Sequence, residues 1–161
     1  MEFVQFGLYK IKDKYFTEFP SNRHMFNKHE SRPYYLSLKE RNGIIWLIPI
    51  SSKVEKYQEK ISADEEKYGE CIKYHVFRFM KEDRAALIGN MIPVTEECIK
   101  GEFTILNRHY VVRDKDTIKA IKKRSARYLS LVRTGKLRPY VDILGIERKL
   151  CNKMANAEYI V

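Results

Sequence analysis

Two serines and a lysine stand together directly after the most apolar stretch of the sequence. Residues 44–50 read Ile-Ile-Trp-Leu-Ile-Pro-Ile, and Ser51, Ser52 and Lys53 follow at once. Such a run predicts a strand buried on both faces, which ends or lies at a sheet edge at Pro49 because proline has no N–H to donate. Hydroxyls orient a phosphate and a lysine neutralises it, so these residues are candidates for a small polar site on a rigid support.

The same three residues have a simpler interpretation. A Ser-Ser pair after a strand is common in a turn or as the N-cap of a helix, and residues 54–61 have a helical pattern. The two interpretations are compatible, because the N-terminus of a helix is also a place where phosphate binds.

Arg32 is a second candidate for contact with a phosphate. It precedes a strand predicted over residues 33–40, and Asn-Gly at residues 42–43 joins that strand to residues 44–50. Asn-Gly between two β-rich runs is a strong hairpin signal. If the two strands form this hairpin, Arg32 lies at the same open end as Ser51. Alternatively, Arg32 is a surface or sheet-edge cation, which is the usual place of a single arginine.

Charge gives the clearest indication of a partner. The chain has 161 residues, and 31 Lys and Arg against 21 Asp and Glu leave a formal charge of +10. A field of this sign favours nucleic acid or an acidic membrane surface. No apolar run approaches the ~20 residues that a membrane-spanning helix needs, and the N-terminal residues show no secretory signal. We therefore expect a cytoplasmic protein without a membrane partner.

Length and composition predict a single domain over residues 1–161. A hydrophobic content of 44% is sufficient for a substantial core. The three cysteines are far apart, and the four histidines form no cluster with the spacing of metal ligands. We therefore expect no protein-held metal and no cofactor.

The strongest helix signal covers residues 116–134, and it is unusually basic. Between Arg108 and Arg138 there are 11 Lys or Arg residues and only two acids. A helix that is basic over several turns can follow a nucleic-acid backbone, whereas an ordinary solvated helix face carries charges of both signs. We predict that a polyanion such as RNA binds along the polar side and flanks of this helix. The basic residues there are Lys115, Lys119, Lys122, Lys123, Arg124 and Arg127.

The remaining pattern predicts an α+β domain with a mostly antiparallel sheet, in which early hairpins are followed by helices. Predicted strands cover 3–11, 33–40, 44–50, 72–79, 84–94 (with a bulge at 89–90) and short pieces of 103–112. Predicted helices cover 12–19, 53–61, 116–134 and 145–157, and predicted loops cover 21–31 and 62–70. Tyr57 is one of several aromatic residues that could stack on unpaired bases, although most such residues belong in a core or on a sheet face.

Three short motifs occur in order along the first part of the chain. They are Ser-Arg-Pro-Tyr-Tyr-Leu at 31–36, Trp-Leu-Ile-Pro-Ile-Ser-Ser-Lys at 46–53, and Leu-Ile-Gly-Asn-Met-Ile-Pro-Val at 87–94. Together they resemble the type III toxin–antitoxin endoribonucleases, the ToxN/AbiQ family, and especially its CptN branch. The resemblance spans roughly the first two-thirds of the chain, and the helical remainder is compatible with it.

The resemblance implies a fold, an activity and a partner. These toxins have a twisted, mostly antiparallel sheet in a barrel-like core similar to that of the MazF/Kid ribonucleases, elaborated by helices. They cut single-stranded, often A-rich RNA without a metal and leave a 2′,3′-cyclic phosphate and a 5′-OH. Their antitoxin is an RNA pseudoknot, which the toxin cuts from a repeat transcript and holds in a basic groove. Toxin and RNA alternate in closed assemblies, and release of the toxin stalls or kills the cell, often during phage infection.

The resemblance also implies roles for individual residues. Ser51 and Ser52 match the family's Thr/Ser-Ser pair, with Ser52 at the position of its active-site serine. Arg32 matches a basic residue of the family that stands just before the strand preceding the serine-bearing strand. The family often has Ser-Pro-Lys here, whereas residues 52–54 of this chain read Ser-Lys-Val. The catalytic lysine is therefore either Lys53, shifted by one position, or a lysine from elsewhere.

A second departure concerns the tyrosine that precedes the basic residue in the family. This chain has no clear counterpart, because Lys28 and His29 occupy that region. His29 is a candidate acid or base, and Lys28 is a candidate RNA contact.

The sequence therefore predicts an endoribonuclease toxin that cuts cellular mRNA and is inhibited by a pseudoknot RNA. In the expected reaction the RNA's own 2′-OH attacks the adjacent phosphate, Ser52 orients that phosphate, and Lys53 and Arg32 stabilise the charged transition state. A non-catalytic RNA-binding module is the main alternative. A DNA-binding regulator with residues 116–134 as its recognition helix is a third class, but no helix–turn–helix spacing precedes that helix.

Overall fold

A computed structural model describes residues 2–160 of the chain, and the side chains of residues 2–157. It contains a mostly antiparallel sheet with helices, so the predicted α+β class is confirmed. The strands are β1 Leu8–Ile11, β2 Tyr34–Lys39, β3 Ile45–Ser51, β4 Tyr74–Phe79, β5 Glu82–Leu87, β6 Ile92–Val94, β7 Ile99–Glu102, β8 Thr104–Ile105 and β9 Arg108–His109. The α-helices are α1 Asp13–Glu18, α2 Val54–Tyr68, α3 Lys115–Arg133 and α4 Ile143–Ile160.

The main sheet is open. Its strand order is β4-β5-β3-β2-β1-β7, with β6 also paired to β3, and every pairing is antiparallel. Strands β8 and β9 form a separate hairpin. Within residues 2–160, β4 and β7 end the sheet without pairing to each other, so the closed, barrel-like core that the resemblance implies is not observed.

Strand β3 is the centre of the sheet, and all of its residues are buried. It pairs with β2 along one side, while β6 and β5 share the other side, at Leu47↔Ile92 and Ile50↔Ala86. Between β5 and β6 the chain makes a 3₁₀ turn at Ile88–Asn90, where a bulge was predicted.

Pro49 does not end this strand, contrary to the prediction. The amide of Ile50 donates to the carbonyl of Pro33 on the β2 side, and successive amides along a strand alternate in direction. The nitrogen of Pro49 therefore faces the other side, at the gap between β6 and β5, where no ladder bond is required. A central strand tolerates proline here because the neighbouring strand is itself interrupted.

The predicted hairpin is present. The amide of Glu40 donates to the carbonyl of Ile44 at 2.8 Å, and the side-chain oxygen of Asn42 accepts from the amide of Ile44 at 3.0 Å. Gly43 has a φ of 91°, which glycine adopts without steric cost. The turn thus fixes which residues of β2 and β3 lie opposite one another.

Helix α2 is longer than predicted. The charged residues 62–67, predicted to lie in a loop, continue the helix and end it at Gly69, whose φ is 77°. One side of α2 packs on β4 and β5 through a small cluster of buried side chains. This cluster consists of Tyr57, Cys71, Tyr74, Ala85 and Leu87. The charged side chains can remain in water while this narrow apolar side holds the helix.

The basic helix is confirmed within one residue at each end. The carboxylate of Asp114 caps α3 by accepting from the amide of Thr117 at 2.9 Å. At the other end Gly135 has a φ of 76°, and its amide donates to Val132. Helix α4 begins at Ile143, two residues before the predicted start at 145, and β7 was not predicted.

The main core lies around Trp46 and joins the sheet to α3 and α4 through Tyr128 and Ile146, among others. Among the helices described within residues 2–160, none has both the length and the apolar character needed to cross a membrane.

The pH dependence of stability is predicted to depend on His75, a half-buried residue of β4. Burial and the neighbouring Arg124 lower the pKa of His75 to about 4. In an unfolded chain a histidine titrates near 6.5, so between these pH values the unfolded state binds a proton that the folded state does not. We expect the free energy of unfolding to fall as the pH decreases from about 6.5 to about 4.

Urea unfolding at a series of pH values tests this expectation. The variant His75→Gln should show a weaker pH dependence over that interval. Some dependence should persist, because burial also lowers the pKa of His24. The exposed His29, changed to Gln, is the control and should behave as the wild type does. An identical pH dependence in all three proteins would contradict the assignment.

Candidate functional site

Arg32 lies at the end of β3, where the hairpin places it. Its Nε donates to the carbonyl of Phe26 at 2.6 Å, and its Nη1 donates to the carbonyl of Ile50 at 2.9 Å. The side chain is only 5% exposed. Within the described residues no carboxylate pairs with it, and burial lowers its pKa. Arg32 is therefore a buried cation that joins the loop before β2 to the last residues of β3.

Ser51 and Ser52 have different environments. Ser51 is buried opposite Ala85 of β5, and its Oγ accepts from the amide of Lys53 at 3.2 Å. Ser52 is exposed, and its carbonyl accepts from the amide of Val54. Neither hydroxyl caps α2, whose N-cap position is Lys53. Ser51 thus shapes the turn, and Ser52 presents a free-standing hydroxyl group beside an exposed lysine.

The loop before Arg32 has an unusual backbone. Lys28, His29 and Glu30 have φ values of 51°, 55° and 66°, so the chain makes a short left-handed turn without glycine. Each such residue costs roughly 1–2 kcal/mol relative to an ordinary conformation. Strain of this kind persists only where surrounding contacts determine it, and it is concentrated at functional sites.

Two side chains hold this left-handed turn. The carboxylate of Glu30 accepts from the amide of Asp13 at 2.8 Å and pairs with Lys100 at 2.9 Å, and these contacts lower its pKa. Before the turn, the buried side chain of Asn27 donates to the carbonyl of Ile11 at 2.9 Å. The turn is therefore anchored to the start of α1 and the end of β1.

Four cations meet at this end of the sheet. Partial burial and the charges of Arg32, Lys53 and Arg84 all lower the pKa of Lys28. Arg84 is paired with Glu82 at 3.0 Å, whereas Lys28, Arg32 and Lys53 form no ion pair within the described residues. We call these four residues the cation cluster. Like charges repel, so a cluster without enough carboxylates is suited to bind an anion such as a phosphate.

His29 does not join the cation cluster through any described contact. Its exposed ring packs edge-to-face on Phe26, with the ring centroids 5.7 Å apart, and Phe26 is itself 66% exposed. The role of His29 as acid or base stays a prediction. The neighbouring Lys28 has a lowered pKa, caused first by burial and then by the nearby cations.

Tyr57 occupies a core position, which is the alternative that the sequence left open, and it does not present an open stacking surface. It is buried, its ring lies 5.1 Å from that of Tyr74, and the Nζ of Lys56 lies 5.5 Å from its centroid. Burial raises its pKa, while the charge of Arg32 acts in the opposite direction. Tyr57 is therefore a buried neighbour of Arg32 and Tyr74, and too little of its ring surface is free to hold a base.

Helix α3 presents most of its predicted cations to solvent. Lys115, Lys119, Lys122 and Lys123 are exposed, and no ion pair to them forms in the described structure. Arg127 is also exposed but pairs with Glu70 at 2.6 Å. This partner satisfies much of its charge, so its predicted contact with RNA is weaker than that of the lysines.

Arg124 is only partly exposed. Its Nε donates to the carbonyl of Cys71 at 3.2 Å, so it joins α3 to the segment between α2 and β4. Together with Lys123 and Arg127, it lines a shallow groove of about 360 Å³ that Glu65 and Glu70 also line.

Arg84 is the member of the cation cluster that the sequence did not suggest. It stands on β5, far from Arg32 along the chain, and reaches this end of the sheet because Ala85 pairs with Ser51. The motif at residues 87–94 lies next to it, but a single arginine in a charged turn carries no signal of its own.

No family model matches this sequence, and no curated protein matches it.

Arg32→Lys is expected to destabilise the fold, because one ammonium group cannot replace two guanidinium bonds that point to separate carbonyls. A loss of about 1.5–3 kcal/mol in the free energy of unfolding is expected, measured by urea denaturation. Arg78→Lys is the matched control, since Arg78 is exposed and pairs with Asp83 on the surface. Equal, small effects of both changes would show that the bonds of Arg32 are dispensable.

Proposed function

We propose that this protein is a metal-independent endoribonuclease, the toxin of a type III toxin–antitoxin system. The observation that supports the proposal most directly is the cation cluster, which lies at the same end of β3 as the exposed Ser52 and holds three cations without an ion-pair partner in the described structure. A phosphodiester supplies the missing negative charge. Its transition state carries more negative charge than the ground state, so such a site would favour cleavage as well as binding.

The proposed reaction uses a nucleophile from the substrate. The 2′-oxygen of the RNA attacks the adjacent phosphorus, the bond from phosphorus to the 5′-oxygen breaks, and a 2′,3′-cyclic phosphate and a 5′-OH result. Ser52 orients a phosphate oxygen, and Lys53 and Arg32 stabilise the charge. The cations also make the nearby 2′-OH more acidic, so that solvent can accept its proton.

Lys28 is the proposed acid for the leaving 5′-oxygen. An ammonium group whose pKa is lowered gives up its proton more readily than an ordinary lysine does. Lys28 belongs to the left-handed turn, so the strained backbone of that turn positions Lys28 within the cation cluster. In this proposal Lys28 replaces His29, which the sequence suggested as the acid or base.

The remaining parts of the proposal concern partners. We propose cellular mRNA as substrate and a pseudoknot RNA as inhibitor, bound along the exposed lysines of α3 in a closed assembly of toxin and RNA in the cytoplasm. We also propose that the protein is related to the MazF/Kid ribonucleases, although its own sheet is open and does not form a barrel.

The main alternative is an RNA-binding module without catalysis. It is favoured by the lysines of α3, which would bind RNA whether or not Ser52 acts. A DNA-binding regulator has less support. The α-helix before α3 along the chain is α2, and several strands separate the two, so they cannot form a helix–turn–helix pair.

Expression in bacteria tests the enzyme directly. Wild-type protein, produced without antitoxin RNA, should arrest growth and create new 5′-OH ends in cellular RNA. Ser52→Ala should lose at least tenfold in cleavage, because one group that orients the phosphate is absent, while binding of RNA is retained. Ser62→Ala changes an exposed serine of α2 and should act as the wild type does.

The outcomes separate the two functions. Cleavage by wild type and by Ser62→Ala, but not by Ser52→Ala, supports the endoribonuclease. Absence of new ends from folded wild-type protein that binds RNA would favour the binding module. Loss of both cleavage and RNA binding in Ser52→Ala would indicate that Ser52 is structural.

The role of α3 has a separate test. Lys122→Glu combined with Lys123→Glu should weaken RNA binding and reduce the slope of log affinity against log salt by about 0.7 per lost phosphate contact. Arg148→Glu with Lys149→Glu makes the same change of charge on exposed positions of α4. An equal slope in the two double variants would show that α3 acts through net charge alone.

A further inference from the structure

A second group of side chains, around Tyr140, has no role in the reaction described above. Tyr140, in the segment between α3 and α4, is 37% exposed. Its hydroxyl lies 3.1 Å from that of Tyr74, and the Nζ of Lys73 lies 5.0 Å from its ring centroid. An aromatic ring that is held at its hydroxyl, with part of its surface in solvent, has the character of a stacking surface.

The charges around Tyr140 are positive. Burial opposes its ionisation, but the hydrogen bond with Tyr74 and the charges of Lys73 and Lys60 together lower its pKa. Burial and the neighbouring Tyr140 raise the pKa of Tyr74, and either hydroxyl can be the donor between the two. Two lysines beside an exposed aromatic ring supply what one nucleotide requires, a surface for the base and charge for its phosphate.

Lys73 is held in place by its backbone. Its carbonyl accepts from the amide of Gly89 at 2.8 Å, and the carbonyl of Gly89 accepts from the hydroxyl of Tyr128 at 3.0 Å. A Cβ at position 89 would lie 3.1 Å from the Cβ of Lys73, so glycine permits this close approach. The same 3₁₀ turn that divides β5 from β6 thus determines where Lys73 emerges.

The group is connected to the cation cluster through the small cluster under α2. Tyr74 packs on Tyr57, and both Arg32 and Tyr140 are close enough to Tyr57 to influence its pKa. Lys53, Lys56 and Lys60 follow one another at helical spacing from the N-cap position of α2 toward Tyr140. A strand of nucleic acid bound at Lys53 has a continuous line of cations to follow.

We propose that Tyr140 and Lys73 form a nucleotide subsite, in which an unpaired base stacks on Tyr140 and its phosphate lies beside Lys73 and Lys60. The subsite rests on the proposed function, since it takes a nucleotide flanking the one that is cleaved. It selects single-stranded over double-stranded nucleic acid, because a paired base within a helix has no free face to offer.

The test uses binding and does not require cleavage. The probes are a fluorescein-labelled deoxyadenylate hexamer and an abasic deoxyribose-phosphate hexamer, which both lack the 2′-OH that the proposed reaction needs. Tyr140→Ala should weaken binding of the deoxyadenylate roughly tenfold and leave binding of the abasic probe unchanged, as measured by fluorescence anisotropy. Tyr140→Phe keeps the ring and loses only the contact of its hydroxyl with Tyr74, so it should retain most of the affinity for both probes.

Two further variants provide controls. Tyr68→Ala removes another exposed tyrosine with a lysine over its ring, Lys67 at 5.1 Å, and should leave both affinities unchanged. Lys73→Met keeps the alkyl chain without the charge. It should therefore weaken the binding of both probes and reduce the slope of log affinity against log salt by about 0.7.

If Tyr140→Ala loses affinity equally for both probes, the subsite is overturned and the role of Tyr140 is structural. Unchanged affinity for the deoxyadenylate would also overturn it, even if wild-type protein cleaves RNA. A selective loss in a protein that cleaves nothing would support the subsite while rejecting the endoribonuclease, so the two proposals fail separately.

Discussion

The site depends on one buried cation. The guanidinium of Arg32 donates to Phe26 on one side and to Ile50 on the other, so it joins the loop before β2 to the end of β3. A charged group is costly to bury, and here two carbonyl oxygens compensate for part of the water it has lost. Because both carbonyls belong to the backbone, the position of the charge is set by the sheet itself.

This arrangement has an electrostatic consequence. Burial lowers the pKa of Lys28, and Arg32 and Lys53 lie close enough for their like charges to lower it further; within the described residues neither lysine forms an ion pair. The folded protein therefore carries repulsion that a bound anion would relieve, which couples ligand binding to stability. The left-handed turn at residues 28–30 adds backbone strain to the same region, and its anchors come from α1 and β7.

Helix α2 connects the cation cluster to the proposed subsite at Tyr140. It begins at the turn that carries Ser52, covers the small cluster containing Tyr57 and Tyr74, and ends at Gly69, next to α3. Its apolar side is narrow, and its lysines remain in solvent on the way to Tyr140. The same helix therefore packs on β4 and β5 with one side and presents a row of lysines to solvent with another.

The sequence by itself determined the local features. Asn42-Gly43 specified the turn and hence the meeting of Arg32 with the end of β3, and apolar spacing with an Asp114 cap and Gly135 specified α3. Each of these signals lies within a few residues of the structure it specifies, because turns and helix ends are stabilised by contacts that are close along the chain.

The tertiary structure decided the rest. Pro49 lies inside a central strand because β5 and β6 leave a gap opposite it. Tyr57 is buried because α2 folds onto β4. Arg84 is placed by the pairing of β5 with β3, and Tyr140 is placed by the contact of its hydroxyl with Tyr74. The sheet stays open, although a family resemblance implied a barrel. Register, strand order and burial depend on contacts between residues far apart in sequence, and no local pattern encodes them.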